Sequence, residues 1–428
     1  MLYGRNGRKD SLVFAGVRVV DPTQGLDETL TVTVEEGVIT RLDPAAGGDG
    51  SDGKVLAPAF VDPHVHLRTP GREDEEDLAS GTRAAAVGGY CAVLAMPNTE
   101  PVVDAAAVLG ALIEQAEEQA EVPVGFLAAI TKGQQGSELT EMAELAERGA
   151  AGFSDDGRPV VAPGLLRRAL QYGATAGRPL AVHCEEPTLS RGGHVHEGAV
   201  AAELGFGGYP SVAESVMVGR DLALAAYEER PLHLLHLSAR ESVEELRRAR
   251  EAGVAATGEV TPHHLCLTEE AVRSLDPNVK MNPPLRAEED RAALVAALRD
   301  GTIEAVATDH APHARHEKEV PFEEAPFGVT GLETAFSALY TQLVEPGVLP
   351  LATLLERMSA GPARIYGLEP PTVAVGATAN LVLLDLDAVW HVDEGGFRSK
   401  SANSWLLGAT LRGRVLRTVA AGKLVHAA

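Results

Sequence analysis

The sequence predicts an α/β fold, a (β/α)8 TIM-like barrel with a small β-sandwich domain formed by both termini. Three observations predict it. Short apolar segments alternate with helical segments through the middle of the chain, which is typical of parallel strand–helix folds. Polar side chains gather where the apolar segments end, which is where barrels of this kind place their active sites. Both ends of the chain instead alternate apolar and polar residues, as half-buried strands do.

Composition and charge limit the classes of function. The chain has 428 residues, of which 45% are apolar, so it can build a sizeable core. It has 37 Lys and Arg against 61 Asp and Glu, which gives a formal net charge of −24. Such a surface repels phosphate backbones and anionic lipid, so we expect no nucleic-acid partner and no membrane partner.

The sequence also favours a cytoplasmic protein. The three cysteines lie far apart and no Cys-x-x-Cys occurs, so a disulfide framework is not expected. The first residues lack the apolar core of a signal peptide. No apolar run approaches the ~18 residues that a membrane span requires.

The two ends of the chain are predicted to form one domain. Residues 11–56 and the segment from Asn380 onward contain short alternating stretches, separated by turns such as Glu36-Gly37. We assign residues 1–56 and 365–428 to a small β domain and residues 57–364 to the barrel. The glycine-rich run at 47–53 is expected to be a flexible loop.

Eight apolar segments supply the predicted barrel strands. The first is Val55–Val61, and each later segment is followed by an Ala/Glu/Leu/Arg-rich stretch of helical period. Eight such units in succession are the number that a (β/α)8 barrel contains. The later segments are 91–97, 122–130, 149–155, 178–185, 231–238, 254–261 and 303–310.

The first barrel strand leads into two histidines separated by one residue, His64 and His66. Residues two apart on a strand point to the same side, so both imidazoles can reach one metal ion. Neutral imidazole suits zinc and its neighbours in the first transition series. Arg68 follows, and it lies on the same face if the strand extends that far. Its planar guanidinium suits a carboxylate ligand.

Later strands end in further residues with the chemistry of metal ligands or of substrate-binding groups. Because the carboxyl ends of barrel strands meet at one rim, these side chains are expected to converge on a joint metal site. They are Asn98 after strand two, Asp155 and Asp156 after strand four, His183 after strand five, His236 after strand six, Asn282 beyond strand seven, and Asp309 and His313 after strand eight.

Other residues are assigned roles outside this set. Lys132, at the end of strand three, could carry a carboxylated amine that bridges two metals, but Asp156 can bridge without added carbon dioxide. The acidic run Glu73–Asp77 is interpreted as a solvated helix start, which the helix dipole favours. Five further histidines are assigned to a loop (His194 and His196), to packing (His233), and to capping or support of the ligands (His263 and His264).

Together these motifs resemble the cyclic amidohydrolase superfamily and, within it, the type I dihydroorotases. The matching strings, from residue 59 to about 336, are FVDPHVHLRTPG, MPNT, FSDDG, VHCEE, HLSARES, EVTPHHL, KMNPPLR, TDHAPHARHEKE and APFGVTGLETAF. Related hydantoinases, dihydropyrimidinases and allantoinases usually carry a carboxylated Lys on strand four. This chain has Asp155-Asp156 there, which fits the type I dihydroorotases. Thr69 departs from the family pattern, where Glu is common.

The resemblance implies a role for each matching residue. The implied metal ligands are His64, His66 and Asp309 for a first ion and His183 and His236 for a second, with Asp156 bridging and Asp155 as the alternative bridge. The implied substrate contacts are Arg68, Asn98 and His313 around a carboxylate, His66 and Leu67 beside them, and Asn282 with the Phe327-Gly328 backbone around a ring. Asp309 is the implied general base, acting on a metal-activated water.

The implied activity is reversible closure of N-carbamoyl-L-aspartate to L-dihydroorotate in de novo pyrimidine (UMP) biosynthesis, with one or two zinc ions. We expect a small-molecule substrate and a homo-oligomer, and some type I relatives work only in complex with aspartate carbamoyltransferase. Two alternatives stay open. One is a cyclic amidase of the allantoinase or hydantoinase type. The other is a non-catalytic scaffold for aspartate carbamoyltransferase, which is disfavoured because all six ligand positions are filled.

Overall fold

The computed structural model describes residues 1–5, 7–45 and 53–428. Nearly all of the glycine-rich run at 47–53, predicted to be a flexible loop, therefore lies outside the described residues. Within them the strands are β1 (Leu12–Asp21), β2 (Leu26–Glu35), β3 (Val38–Pro44), β4 (Lys54–Pro58), β5 (Phe60–Val65), β6 (Tyr90–Ala95), β7 (Val124–Ala128), β8 (Gly152–Ser154), β9 (Leu180–Val182), β10 (Val195–His196), β11 (Gly208–Tyr209), β12 (Leu232–Leu234), β13 (Ala256–Val260), β14 (Ala305–Val306), β15 (Leu381–His391), β16 (Thr410–Ala420) and β17 (Lys423–Ala427).

Helices follow most of the barrel strands. The α-helices of the described ranges are α1 (Leu78–Gly88), α2 (Ala106–Gln119), α3 (Met142–Arg148), α4 (Pro163–Ala176), α5 (Pro187–Ser190), α6 (Ala199–Leu204), α7 (Val212–Glu228), α8 (Arg240–Glu251), α9 (Pro262–Cys266), α10 (Glu288–Asp300), α11 (Arg315–Lys318), α12 (Ala335–Leu339), α13 (Leu351–Met358) and α14 (Ala360–Ile365). In the part of the chain that the structure describes, no helix is both long enough and apolar enough to span a bilayer.

Eight parallel strands form the barrel. They are β5, β6, β7, β8, β9, β12, β13 and β14, and neighbours in this order are hydrogen-bonded. The first and last strands meet through a parallel bridge between Val65 and His310. At the same seam the His66 N–H donates to the His310 carbonyl, with an N···O distance of 2.9 Å. The sheet is therefore closed, and the predicted (β/α)8 barrel is confirmed.

The barrel strands are buried on both faces, which is why the sequence shows them as continuous apolar runs. Every residue of β6 and β7 is buried. The last six barrel strands lie inside the predicted segments but are shorter, since the backbone turns out of the sheet where the polar residues begin. His236 and Asp309, for example, have φ angles of +31° and +48°, in the left-handed region that non-glycine residues rarely adopt.

The apolar run Val55–Val61, expected to be one strand, is divided between two sheets. Strand β4 pairs with β1 and β15, whereas β5 pairs with β6 in the barrel. The change falls at Ala59: its N–H donates to the Asn380 carbonyl at 3.0 Å, while the next N–H, of Phe60, donates into the barrel side of the chain, to Gly89. The single-strand expectation is wrong because an apolar run does not reveal which sheet it pairs with.

Strands from both termini form one seven-stranded sheet, in the order β17-β16-β15-β4-β1-β2-β3. Apolar side chains from its two ends, such as Val32 and Val419, belong to the same core cluster. The sheet folds back so closely that a Cβ on Gly422 would lie 2.7 Å from the Cα of Gly37. The predicted β domain from both termini is confirmed, and the two layers of the sandwich are halves of one continuous sheet.

The stretch between β15 and β16 leaves the terminal sheet and returns to the mouth of the barrel. There Ser401 Oγ donates to the Glu75 carbonyl at 2.7 Å. Asn403 is buried, and its side chain donates to the Ala311 carbonyl in the loop after β14, at 3.1 Å. Part of the C-terminal segment therefore surrounds the end of the barrel at which the strands finish.

Candidate metal centre

The predicted ligands converge at the carboxyl end of the barrel, around a cavity of about 190 Å³. The residues of the predicted set that line this cavity are His66, Arg68, Asn98, Asp156, His183, His236, Asn282, Asp309, His313, Phe327 and Gly328. His64 lies beneath them and is fully buried. Side chains far apart in sequence, such as Arg68 and His313 at a separation of 245 residues, thus meet at one rim, as the barrel topology predicts.

Two imidazoles and two carboxylates form the first half of the cluster. The Nε2 atom of His66 lies 3.0 Å from Asp309 Oδ1 and 3.5 Å from Asp156 Oδ2. The Nε2 atom of His64 lies 3.4 Å and 3.5 Å from the same two oxygens. Both histidines therefore direct one ring nitrogen at the same pair of carboxylate oxygens.

A second pair of imidazoles faces the other oxygen of Asp156. The His236 Nε2 atom lies 3.3 Å from Asp156 Oδ1, and His183 Nδ1 lies 3.7 Å from it. These two ring nitrogens are 2.9 Å apart. Asp156 therefore lies between two histidine pairs and presents one oxygen to each, which is the arrangement that a bridging carboxylate requires.

The donor atoms fit a transition metal. His64 Nε2 is buried and has no hydrogen-bond partner, although its surroundings are polar. Ligand atoms about 2.0 to 2.2 Å from one tetrahedral zinc lie roughly 3.3 Å from each other, which is close to the 2.9 to 3.7 Å separations found here. Imidazole nitrogens and carboxylate oxygens of this kind suit zinc and its neighbours.

The electrostatics of the cluster favour cation binding. Burial lowers the pKa of His64, but the Asp156 and Asp309 carboxylates more than reverse this and hold it well above its usual value. Burial likewise opposes ionisation of Asp156, yet His64 keeps the pKa of that carboxyl well below its usual range. Without metal His64 and His183, whose pKa values are both raised, carry compensating protons. A metal must displace these protons, so its affinity should increase with pH.

The structure brings Asp156 to the histidines and directs Asp155 elsewhere. The Asp155 Oδ1 atom accepts hydrogen bonds from the backbone N–H groups of Ile130 (2.8 Å) and Thr131 (3.1 Å). It therefore ties the end of β8 to the end of β7. Lys132 points to solvent and pairs with Glu138, so it does not enter the cluster.

Glu259, which the sequence analysis missed, lies fully buried behind His64. Its Oε1 is 2.8 Å from His64 Nδ1, and its Oε2 is 3.0 Å from His233 Nε2. Burial raises the pKa of Glu259, but hydrogen bonds from the two histidines lower it to about 2. An ionised carboxylate keeps the His64 proton on Nδ1 and leaves Nε2 free to bind metal. The sequence did contain one sign of this role: Glu259 is a charged residue within a strand expected to be buried on both faces, and such residues are rarely buried without a partner.

Replacing Glu259 with glutamine is expected to lower metal affinity by roughly 10- to 100-fold. The amide can donate as well as accept, so it no longer fixes the orientation and tautomer of His64. A competition titration against a chelator measures this change. Glu304→Gln is the matched control, since Glu304 accepts from the Gly258 N–H (3.1 Å) away from the ligands. Equal affinities in the Glu259→Gln variant and the parent chain would contradict this role.

Glu185 orients His183 in the same way. Its Oε2 atom lies 2.9 Å from His183 Nε2 and accepts from Asn282 Nδ2 at 3.2 Å. Asn98 plays a similar part for His66, because its Oδ1 is 2.9 Å from His66 Nδ1. Two of the predicted substrate contacts therefore belong to this support: Asn282 is held by Glu185, and Asn98 itself positions His66.

The acidic run Glu73–Asp77 precedes α1, but the expectation that it is solvated is wrong at two positions. Glu75 and Glu76 are only 1% and 0% exposed. Glu75 Oε2 lies 2.9 Å from Arg68 Nε, and Glu76 Oε2 lies 3.2 Å from His310 Nε2. Buried carboxylates require such partners, and these partners are not visible in the local sequence.

Arg68 reaches the mouth through a turn. Strand β5 ends at Val65 and Arg68 has a φ of +56°, so the strand does not extend as far as a shared strand face for Arg68 would require. Its Nε donates to the Pro312 carbonyl at 3.0 Å, and its terminal nitrogen lies 3.4 Å from His313 Nε2. The guanidinium is therefore held at the cavity wall beside His313.

The other predicted residues fall into two groups. Phe327 and His313 meet at the wall, where His313 Nε2 donates to the Phe327 carbonyl at 2.8 Å. Leu67 instead turns its side chain into the core: a Cβ on Gly81 of α1 would lie 2.5 Å from it. Leu67 is therefore not among the residues that line the cavity.

The histidines that were assigned elsewhere do lie outside the metal cluster. His264 bonds to Thr261 Oγ1 through Nδ1 (2.7 Å) and to the Pro283 carbonyl through Nε2 (3.0 Å). His196 belongs to the two-residue strand β10, which pairs with β11. The expectation of a loop at that position is therefore corrected, because the pairing partner lies 13 residues further along the chain.

A closed (β/α)8 barrel with histidines and aspartates clustered at its carboxyl rim defines a metal-dependent hydrolase of the amidohydrolase kind. Comparison with known proteins agrees. The protein-family model described as "Dihydro-orotase-like" matches residues 53–242. A dihydroorotase of Trichlorobacter lovleyi is 44% identical over 421 residues, covering 97% of this chain and 99% of that protein. One of Anaeromyxobacter dehalogenans is 45% identical over 425 residues, covering 97% and 98%.

Solved structures support the same fold. The L-hydantoinase (dihydropyrimidinase) of Arthrobacter aurescens superposes with a TM-score of 0.86 at 25% identity, covering 97% of this chain and 96% of that chain. A D-hydantoinase superposes with a TM-score of 0.83 at 24% identity, covering 96% and 94%. The chain belongs to the dihydroorotase family.

Proposed function

We propose that this chain is a zinc-dependent dihydroorotase of the cytoplasm, which interconverts N-carbamoyl-L-aspartate and L-dihydroorotate in pyrimidine biosynthesis. One observation supports this most strongly. Asp156 presents one oxygen to each of two histidine pairs, and the same cavity is lined by Arg68. A site that joins metal ligands to a guanidinium suits a cyclic amide that carries a carboxylate.

The proposed ligands divide between two zinc ions. His64, His66 and Asp309 would hold one ion, His183 and His236 the other, and Asp156 would bridge them. Zinc, when bound, polarises a carbonyl and lowers the pKa of water from about 15.7 towards about 7. The residues around it have the separate task of moving protons and holding the substrate.

Asp309 is the proposed general base. Burial alone would raise its pKa, but His64 and His66 lower it well below the usual value, so the carboxylate is ionised. As water adds to the ring amide carbonyl, Asp309 takes its proton. The ring C–N bond then breaks, and the same proton passes to the departing nitrogen. Ring closure follows these steps in reverse.

Arg68 is proposed to bind the ring carboxylate, with Asn98 and His313 beside it; the His313 Nε2–H itself donates to the Phe327 carbonyl. Burial and the nearby Arg68 charge lower the pKa of His313 to about 2, so its imidazole is neutral. Arg68 therefore supplies the positive charge. The ring itself would lie against Asn282 and the Phe327-Gly328 backbone, with His66 completing the pocket.

Replacing Arg68 with lysine is expected to weaken dihydroorotate binding by roughly 10- to 100-fold, since hydrogen bonds to charged groups are worth about 1.5 to 3 kcal/mol. A neutral cyclic imide should lose far less, because it has no carboxylate for the guanidinium to bind. Inhibition or binding constants for both ligands measure this. Arg412→Lys is the control, since Arg412 pairs with Glu345 (3.1 Å) and is not among the residues that line the cavity. Equal losses for both ligands would remove Arg68 from the carboxylate-binding role.

A substrate panel tests the activity as a whole. The zinc-loaded chain is assayed with dihydroorotate, hydantoin, dihydrouracil and allantoin, because the proposed function alone requires a ring carboxylate. Preference for a neutral ring would favour the hydantoinase or allantoinase alternative. Self-association and a complex with aspartate carbamoyltransferase are expectations of the family resemblance. The panel is therefore run with and without that enzyme, and no turnover in either case would favour the scaffold alternative.

A further inference from the structure

Residues 399–403, here termed the return segment, are anchored on the loop that links β5 to α1. The Lys400 N–H donates to Glu76 Oε1 at 3.2 Å, and the Ser399 hydroxyl bonds to the same carboxylate. Glu76 Oε2 also lies 3.2 Å from the imidazole of His310, the residue after Asp309. The return segment is therefore fixed directly beside the end of β14.

Asn403, at the end of the return segment, joins two walls of the cavity. One wall is the loop after β14, with Ala311 and His313, and the other is the Phe327–Thr330 segment. Its Oδ1 accepts from the His313 N–H at 3.1 Å, and its Nδ2 donates to the carbonyls of Ala311 (3.1 Å) and Gly328 (3.2 Å). Its own carbonyl accepts from the Thr330 N–H at 3.0 Å. Both amide hydrogens are thus used, one on each wall.

The two walls approach each other as closely as backbone permits. Gly328 has a φ of +117°, and a Cβ there would lie 2.7 Å from the Ala311 Cβ and 3.2 Å from His313 Nε2. The distance between the two walls therefore determines the positions of His313 and of the Gly328 backbone in the cavity. Asn403 itself is not among the residues that line the cavity, so any effect on the ligand must pass through these walls.

We propose that Asn403 is a positioning residue for substrate binding. It clamps the loop after β14 to the Phe327–Thr330 wall, and so sets His313 and the Gly328 backbone at the spacing that the substrate ring and its carboxylate need. The inference rests on the proposed function. It assigns a role in the active site to the C-terminal part of the chain, outside the barrel.

Two substitutions test this role. Asn403→Asp keeps the acceptor for the His313 N–H but sets a carboxylate oxygen against two carbonyl oxygens, while Asn403→Ala removes all three side-chain bonds. Both should raise KM for dihydroorotate by roughly 10- to 100-fold. They should change kcat by no more than about threefold and leave zinc content unchanged, as expected when ground-state and transition-state binding weaken together.

Asn380→Ala is the matched control, because Asn380 Oδ1 accepts from the Ala421 N–H (2.6 Å) in the terminal sheet. It should lower the melting temperature without changing KM. Dihydroorotate affinity measured in an Asp309→Asn background separates binding from chemistry, and it should fall with KM. Unchanged KM in either active Asn403 variant overturns the inference, as does a KM change that the control reproduces or that accompanies zinc loss. Inactivity of the parent chain would instead contradict the proposed function.

Discussion

Replacing Asp309 with asparagine is expected to lower kcat for dihydroorotate by roughly 10² to 10⁴-fold, the usual contribution of a positioned acid–base group. Asp309 Oδ1 lies 3.0 Å from His66 Nε2 and 3.4 Å from His64 Nε2, at the wall of the cavity. An amide cannot accept the proton of the attacking water. Its oxygen can still face a cation, so part of the metal should stay bound.

Steady-state kinetics and elemental analysis on the same preparation measure this outcome. Asp221→Asn is the matched control: Asp221 is also buried, but it pairs with Arg220 (2.6 Å) outside the metal cluster. The control should retain both turnover and zinc. Normal turnover in the Asp309→Asn variant would exclude Asp309 as the general base, and loss of all zinc would show that its main task is ligation.

Replacing Asp156 with asparagine is expected to reduce turnover to the background rate and to lower the metal content of the chain. Its two oxygens face different histidine pairs, at 3.5 Å from His64 Nε2 and 3.3 Å from His236 Nε2. A neutral amide offers only one good ligand oxygen and removes the charge that offsets two cations. Both proposed zinc ions should therefore bind more weakly.

Asp155→Asn is the matched control for Asp156→Asn, since the two aspartates are adjacent in sequence. Asp155 accepts only from backbone and hydroxyl groups of Ile130 and Thr131. Its replacement should lower the melting temperature and leave zinc content nearly unchanged. A chelator titration of both variants compares them directly. The opposite result, with metal lost only from Asp155→Asn, would identify the other aspartate as the bridge.

The sequence predicts those features that a local pattern determines. Strands buried on both faces of a barrel appear as apolar runs, and the polar residues after them mark the rim. His64 and His66 could be paired because their spacing alone places them on one side. The site residues on later strands followed from the same topology, with the family resemblance supplying their roles.

Features that depend on distant partners could not be predicted in this way. His64 and Glu259 are 195 residues apart, and Glu76 and Ser399 are 323 residues apart. A lone Glu in the sequence therefore gives no sign that its charge is buried and paired. The choice between Asp155 and Asp156 is of the same kind, because it depends on which carboxylate the backbone of β7 binds.

The sequence pattern also could not predict the backbone conformation at the site. Arg68, His236 and Asp309 all have positive φ angles, which cost non-glycine residues roughly 1 to 3 kcal/mol each. These residues leave the strand direction and turn their side chains into the cavity. The closed barrel around them keeps these conformations in place. This explains why these strands end before the residues that the site uses, whereas His64 lies within β5.

The most direct test of the account is zinc content measured together with dihydroorotate hydrolysis on the isolated chain, before chelation, after chelation and after zinc is restored. We expect zinc bound at the histidine–aspartate cluster, hydrolysis that disappears with the metal, and recovery in proportion to the zinc restored. Undiminished hydrolysis by a chain from which all metal has been removed would contradict it.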